Sequence, residues 1–170
     1  MERKGIVAVN GNPLTLIGNE IRVGEKIPYF KVLDKDLKEV DSRQFSGKTI
    51  LISVTPSLDT PVCDLQLRRF NKEASELKND IIVLNISVDL PFAIARFCNA
   101  NGIDKVKTYS DYRDVDFGTK FGVLIKENRL LARSIFVIDR NDKLVYSEIV
   151  KDITQHPDYE KAISTLKTIN

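Results

Sequence analysis

The sequence predicts an α/β fold: a single domain over residues 1–170, with a central mixed sheet flanked by helices and a β-hairpin extension at residues 1–18. The apolar, β-branched run Thr49-Ile-Leu-Ile-Ser-Val54 leads into a stretch with helical periodicity. That stretch is followed by the nearly all-apolar run Ile81-Ile-Val-Leu-Asn-Ile-Ser-Val88, so the three together read as a strand-helix-strand unit of a parallel sheet. Later, Arg133–Asp139 and Lys143–Val150 flank Arg140-Asn-Asp142 as an antiparallel hairpin, and a helix follows. A chain of 170 residues can bury one continuous core without a linker. Its 26 basic and 24 acidic residues nearly balance, which leaves no electrostatic footprint for nucleic acid or a membrane surface.

The N-terminal Met1-Glu-Arg-Lys-Gly5 leads into Ile-Val-Ala-Val-Asn-Gly rather than a long apolar run. The expectation is therefore no signal peptide, no membrane span and a cytoplasmic setting, where a disulfide is transient and catalytic rather than structural. Apolar residues at 6–9 and 14–17 surround Asn10-Gly-Asn-Pro13, a turn signal, and give the opening hairpin. Tyr29 to Val40 reads as a strand pair around Asp34-Lys-Asp36, and Gly47 ends the loop before the Thr49–Val54 strand.

Pro56 stops that strand because proline cannot extend a ladder. Thr60 then suits a helix N-cap, Pro61 the first helical position, and Cys63 falls at the third. Leu67, Phe70, Ala74 and Leu77 line one face of the helix, with Arg68, Arg69, Lys72 and Glu73 turned away. A shorter helix spans the run from Leu90 to Gly102, with Asp89 as its cap, Pro91 in its first turn, Cys98 near its end and Gly102 closing it. A short strand near Val106–Tyr109, a helical turn through Asp114–Phe121 and a loop at Lys126-Glu-Asn128 precede the late hairpin. Pro157 begins the last helix, with Asp158 and Glu160 in its first turn and Tyr159, Ile163 and Leu166 on one face. Strand-helix-strand followed by hairpin-helix is a thioredoxin-like order, here with an inserted middle helix.

The chemistry concentrates at Pro56-Ser-Leu-Asp-Thr60-Pro-Val-Cys63. The first turn of a helix offers N–H groups without helical partners and the positive end of the aligned peptide dipoles. Both favour sulfur as its nucleophilic anion. Thr60-Pro-Val-Cys63 has the frame of a C-x-x-C motif with threonine in the first place, so Cys63 has no neighbouring thiol. A partner must come from elsewhere in the chain or from another molecule, and Cys98 is the only other cysteine. Two cysteines on separate helices fit a peroxidatic and resolving pair. The plainer alternative for each is a small buried apolar residue.

His156 is the only histidine and stands beside Pro157 at a helix entrance, which suits a solvated or capping residue better than a catalytic one. Asp59 and Asp64 flank Cys63 without a His or Cys cluster, so no metal is implied. There is no phosphate-binding glycine loop or dinucleotide fingerprint. No cofactor is expected, and reducing power must arrive through a thiol carrier.

Pro56-x-x-x-Thr60-x-x-Cys63 resembles the peroxiredoxins. Together with Asp89-Leu-Pro-Phe-Ala93, Arg96-Phe-Cys98, Ala132-Arg133, Val137-Ile-Asp139 and Pro157-Asp-Tyr-Glu160 it is similar to the bacterial thiol peroxidases, the atypical two-cysteine branch, over nearly the whole chain. The resemblance implies that Cys63 attacks the terminal peroxide oxygen and becomes a sulfenic acid, releasing water or an alcohol. It implies that Thr60 holds thiolate and peroxide by its hydroxyl, beside its plain role as a cap, and that Pro56 shields the sulfur, beside its role in ending the strand. Arg133 would lie next to Cys63, favouring the thiolate and polarising the O–O bond; only the resemblance singles this arginine out. The implied cycle is that of a thioredoxin-dependent hydroperoxide reductase, with a Cys63–Cys98 disulfide inside one chain, reduction by thioredoxin or a similar thiol, and a homodimeric state. Each thiol being held in a helix, closing that disulfide requires one helix to unwind locally. The competing reading is a redox-sensing interaction module switched by the same disulfide without turnover.

Overall fold

The computed structural model describes residues 1–169. The chain opens with strands β1 (Glu2–Val9) and β2 (Asn12–Ile17), followed by β3 (Lys31–Leu33), β4 (Glu39–Asp41) and a 3-10 turn at Ser42–Phe45. Then come β5 (Thr49–Val54), helix α1 (Pro61–Ala74), β6 (Ile81–Ser87), α2 (Pro91–Asn101), β7 (Lys107–Ser110) and α3 (Asp116–Lys120). Strands β8 (Leu124–Ile125), β9 (Ser134–Ile138) and β10 (Leu144–Ile149) and helix α4 (Tyr159–Thr168) complete it. The architecture is the mixed α/β, thioredoxin-like one expected.

The first hairpin turns on Asn10 and Gly11 alone, with φ of 48° and 81°, and Val9 pairs with Asn12. Positive φ at both central residues matches the right-handed twist of the flanking strands, which is why Asn-Gly serves here. Asn12 and Pro13 accordingly belong to the strand rather than to a longer turn. The hairpin is also not a free extension: β8 pairs with β2, making a three-stranded sheet β1-β2-β8. A two-residue strand is too short to leave a periodic signal.

The main sheet has seven strands in the order β10-β9-β5-β6-β7-β3-β4. The β5-β6-β7 centre is parallel and the other pairings are antiparallel. Alternation along the strands divides the core in two. Ile50, Ile52 and Val54 of β5, with Leu84 and Ile86 of β6, pack with Phe30, Phe117, Phe121 and the small-sheet residues Leu14 and Leu16. Leu51, Val83, Ile135 and Val137 face the other way, onto Leu67 and Phe70 of α1, Ile94 of α2 and Ile163 and Leu166 of α4.

Three helix boundaries differ from expectation. α1 ends at Ala74, with Ser75 as its C-cap, so Leu77 lies beyond it. Leu90, not Asp89, occupies the N-cap of α2, because the Asp89 carboxylate turns back to accept from Ser57 Oγ, Leu58 N and Ser87 Oγ at 2.7, 2.8 and 2.9 Å. Asp158 caps α4 by accepting the Lys161 N–H, which leaves Pro157 one residue outside the helix.

Candidate active site

Cys63 occupies the third position of α1 and is fully buried. The helix begins there because Pro56 ends β5 and the Asp89 contacts tie the following loop to the β6–α2 connection. Thr60 is extended, with φ −107° and ψ 146°, and its carbonyl accepts the first helical bond from Asp64 N at 3.0 Å. Thr60 therefore stands at the N-cap, but its side chain does not cap. Its hydroxyl donates to the Ser57 carbonyl at 3.0 Å, so the oxygen presents lone pairs and no proton to what lies outside the helix.

The structure brings Arg133, 70 residues downstream, against this sulfur: Nη2 donates to Cys63 Sγ at 3.2 Å. Arg133 immediately precedes β9 and is 2% exposed. Its Nε donates to the Ile153 carbonyl at 2.8 Å and its Nη1 to Gln66 Oε1 at 2.9 Å. A buried guanidinium is costly unless its donors are met, and here three fixed acceptors meet them. Gln66 is held in turn. Its Nε2 donates to Ser53 Oγ at 2.8 Å and to the Val54 carbonyl at 3.3 Å; Ser53 Oγ donates to Asn85 Oδ1 at 3.0 Å, and Asn85 Nδ2 to Thr55 Oγ1 at 3.2 Å.

Above Arg133 lies an almost wholly apolar cavity of about 250 Å³. Pro56, Thr60, Pro61 and Val62 form one wall, and Val9, Leu130 and Ile153 bring in segments distant in sequence. A buried thiol, a cation beside it and an acceptor hydroxyl at the cavity wall can bind a small molecule with a polar head and polarise a bond in that head.

Cys98 lies apart from this constellation. It is half-buried in the last turn of α2, packed on the helix-side core, and its Sγ is 3.7 Å from Thr108 Oγ1. Burial pushes its thiol up, against the smaller opposing effect of the Thr108 hydroxyl. Both cysteines are free thiols. The two helices that carry them are linked on the outside: Arg68 pairs with Asp64, 2.5 Å away and next to Cys63, and with Asn101, three residues past Cys98. His156 bonds the Tyr159 hydroxyl through Nδ1 at 2.7 Å. Among the described residues, no group of three or more His, Cys, Asp or Glu could hold a metal ion, and no helix is long and apolar enough to cross a membrane.

Sequence reasoning missed Gln66, Ser53 and Asn85. The signal was present in each case as a polar residue on a face that should be apolar. Gln66 follows Cys63 by three residues and precedes Phe70 by four, which places it on the buried stripe of α1. Ser53 and Asn85 interrupt two apolar strands and pair directly with each other across β5 and β6.

The Redoxin family profile matches residues 22–163. A thiol peroxidase of Bacillus subtilis (strain 168) is 55% identical over 163 residues, covering 96% of this chain and 97% of that protein. Among solved structures, a peroxiredoxin-like protein from Aquifex aeolicus superposes with a TM-score of 0.91 at 37% identity, over 99% of this chain and 98% of its own. A thiol peroxidase from Chromobacterium violaceum does so with a TM-score of 0.83 at 25% identity, over 95% of both chains.

Proposed function

Because this chain belongs to the Redoxin family, among its thiol peroxidases, we propose that it reduces hydroperoxides through Cys63 and resolves the product with Cys98, taking its electrons from thioredoxin or a similar dithiol. The observation that carries the reading is the Arg133 Nη2–Cys63 Sγ contact of 3.2 Å, made by an arginine that itself lines an apolar cavity. The thiolate attacks the terminal peroxide oxygen. An S–O bond forms as the O–O bond breaks, leaving a sulfenic acid and an alkoxide that takes a proton from solvent. Arg133 stabilises the charge that develops on the oxygens. Thr60, its own proton committed to Ser57, accepts the peroxide O–H and so aims the terminal oxygen at the sulfur. Pro56 and the cavity wall keep water from the sulfur.

Cys98 then attacks the sulfenic sulfur, an S–S bond forms and water leaves. A dithiol reduces the disulfide by exchange through a mixed disulfide. A dithiol reductant of this kind supports a cytoplasmic setting. Homodimerisation is supported by apolar side chains exposed around the Asp89 loop: Leu90 and Phe92 at the start of α2, and Tyr112 on the adjoining turn, which Ser110 ties to the Asp89 carbonyl at 2.5 Å. The apolar cavity favours a hydroperoxide with an apolar substituent over hydrogen peroxide, which has nothing to place there.

Steady-state NADPH consumption in the presence of thioredoxin and its reductase tests the reading. Turnover of many peroxide equivalents per chain, with a higher kcat/KM for cumene hydroperoxide than for hydrogen peroxide, is expected. A single stoichiometric oxidation of Cys63 and Cys98 would instead favour the redox-sensing module, and equal kcat/KM values would remove the apolar-substrate preference.

A further inference from the structure

Two Asn-Gly pairs occur in the chain, Asn10-Gly11 and Asn101-Gly102. A glycine amide, with no Cβ beside it, reaches the Cγ of a preceding asparagine more easily than any other, so both pairs can deamidate through a cyclic imide. They stand in opposite circumstances. Asn10 is exposed at the tip of the first hairpin, and the Gly11 N–H reaches the Asp152 carboxylate only at 3.4 Å. Asn101 is the last residue of α2, and each group that ring closure needs there is held. Its Nδ2 donates to the Phe97 carbonyl at 2.8 Å, its Oδ1 accepts from Arg68, and the Gly102 N–H donates to the Cys98 carbonyl.

The guard on this amide is therefore built from the second cysteine itself. The carbonyl of Cys98 holds the nitrogen that would attack, and also accepts from Ile103 N at 3.0 Å; the residue before Cys98 holds the amide that would leave. Neither bond survives a displacement of the Cys98 backbone. The helix around it is loosely kept. Of its eleven residues Pro91 and Ile94 are buried, the N-cap Leu90 supplies no side-chain bond, and neither its first nor its last turn carries a charge that suits the peptide dipoles. α1, by contrast, buries Cys63, Gln66, Leu67 and Phe70. Where one helix must open to join the thiols, α2 is the less costly.

We propose that Asn101-Gly102 is a modification site opened by oxidation: the last turn of α2 protects Asn101 from deamidation while the thiols are reduced, and the Cys63–Cys98 disulfide exposes it. The inference rests on the resolving role of Cys98 given above. As Cys98 moves to the sulfenic sulfur, its carbonyl releases the Gly102 N–H and the Asn101 amide loses the Phe97 carbonyl. The Gly102 nitrogen then attacks Asn101 Cγ. An N–C bond forms, the Cγ–Nδ2 bond breaks, and ammonia leaves carrying the proton that the glycine nitrogen gave up. Water opens the imide at either carbonyl, which leaves an aspartate or an isoaspartate at position 101. No electrons are exchanged, so the disulfide acts only by opening the turn. An isoaspartate adds a methylene to the backbone, and the Gly102 cap no longer fits over Cys98 after reduction. A chain kept oxidised for want of a reductant thus acquires a lasting mark beside its second thiol.

Peptide mapping by mass spectrometry reads deamidation at each asparagine separately, in protein incubated at mildly alkaline pH either with a dithiol or after stoichiometric peroxide. Asn101 should deamidate about tenfold faster or more in the disulfide form, the scale on which local opening controls a protected group. Asn10, whose hairpin lies on β8 and the 151–153 segment, should keep one rate in both and serves as the internal reference. Cys98→Ser, treated with the same peroxide, oxidises at Cys63 without closing a disulfide and should keep the slow Asn101 rate. Equal Asn101 rates in the reduced and disulfide forms would overturn the proposal, as would fast deamidation of Asn101 in oxidised Cys98→Ser. The two readings fail separately. A disulfide that forms while Asn101 keeps its reduced rate sinks this inference and leaves the resolving role intact, whereas a peroxide-treated parent chain without the disulfide sinks the resolving role and, with it, the trigger.

Discussion

Cys63 lies in the first turn of its helix, fully buried, with a guanidinium 3.2 Å from its sulfur, whereas Cys98 lies in the last turn of its helix, half-buried, with only a threonine hydroxyl near it. The helix ends oppose each other electrically. The N-terminal turn of α1 favours negative charge, and the C-terminal turn of α2, where the Cys98 carbonyl already accepts from Gly102 and Ile103, disfavours it. One sulfur thus has a cation in contact with it, while burial keeps the other as a thiol. Burial alone does not decide between them, since the more buried sulfur is the one with the cation.

The largest expected effect separates the two outright. Cys63→Ser should lose all peroxide reduction, while Cys98→Ser should still consume about one equivalent of peroxide per chain and then stop. Rapid mixing with sub-stoichiometric peroxide and mass spectrometry of each variant checks this, and sulfenic acid forming first on Cys98 would reverse the comparison. Next is Arg133→Ala, expected to lower the rate of peroxide reduction about 10²–10³-fold, the scale of losing one stabiliser of transition-state charge. Circular dichroism should show a retained fold, and an unchanged rate would mean that the contact with Cys63 is not used.

The third prediction concerns pH. In the proposed cycle Cys98 must be a thiolate to attack the sulfenic acid, and its burial holds it up as the thiol. Disulfide formation after a single oxidation should therefore speed up with rising pH, by about tenfold per unit below the Cys98 midpoint. A flat profile, measured by quenched-flow alkylation, would make helix unwinding the slow step instead. The smallest effect is expected of Arg68→Ala, which removes the outer link between α1 and α2. Disulfide formation should accelerate about two- to fivefold, the range of an exposed ion pair, if the reduced form must open there before the thiols meet. A slower reaction would show that the link guides closure rather than resisting it.

Local signals made much of the frame legible. The Thr49–Val54 strand, the proline that ends it, the placement of Cys63 at the third helical position and the Gly102 that closes α2 all follow from proline, glycine and apolar periodicity, which act over a few residues. The relation between Cys63 and Arg133 depends instead on β9 pairing beside β5, a choice made across some eighty residues and written in no local pattern. Resemblance supplied Arg133, but not Gln66, Ser53 or Asn85, whose polarity matters only once the sheet register sets Ser53 against Asn85. Thr60 shows the reverse limit. Its position was legible while its hydroxyl was not, because the choice between capping and bonding Ser57 lies in a side-chain torsion.

That long-range pairing also bears on how the chain is made. A chain emerging from the ribosome presents Cys63 and its helix well before residue 133 exists, and β9 must then add to the free edge of β5, with β10 following it. Until it does, the sulfur has no arginine, and neither Leu130 nor Ile153 walls the cavity. Sensitivity to oxidant therefore arrives last, with the closing third of the polypeptide.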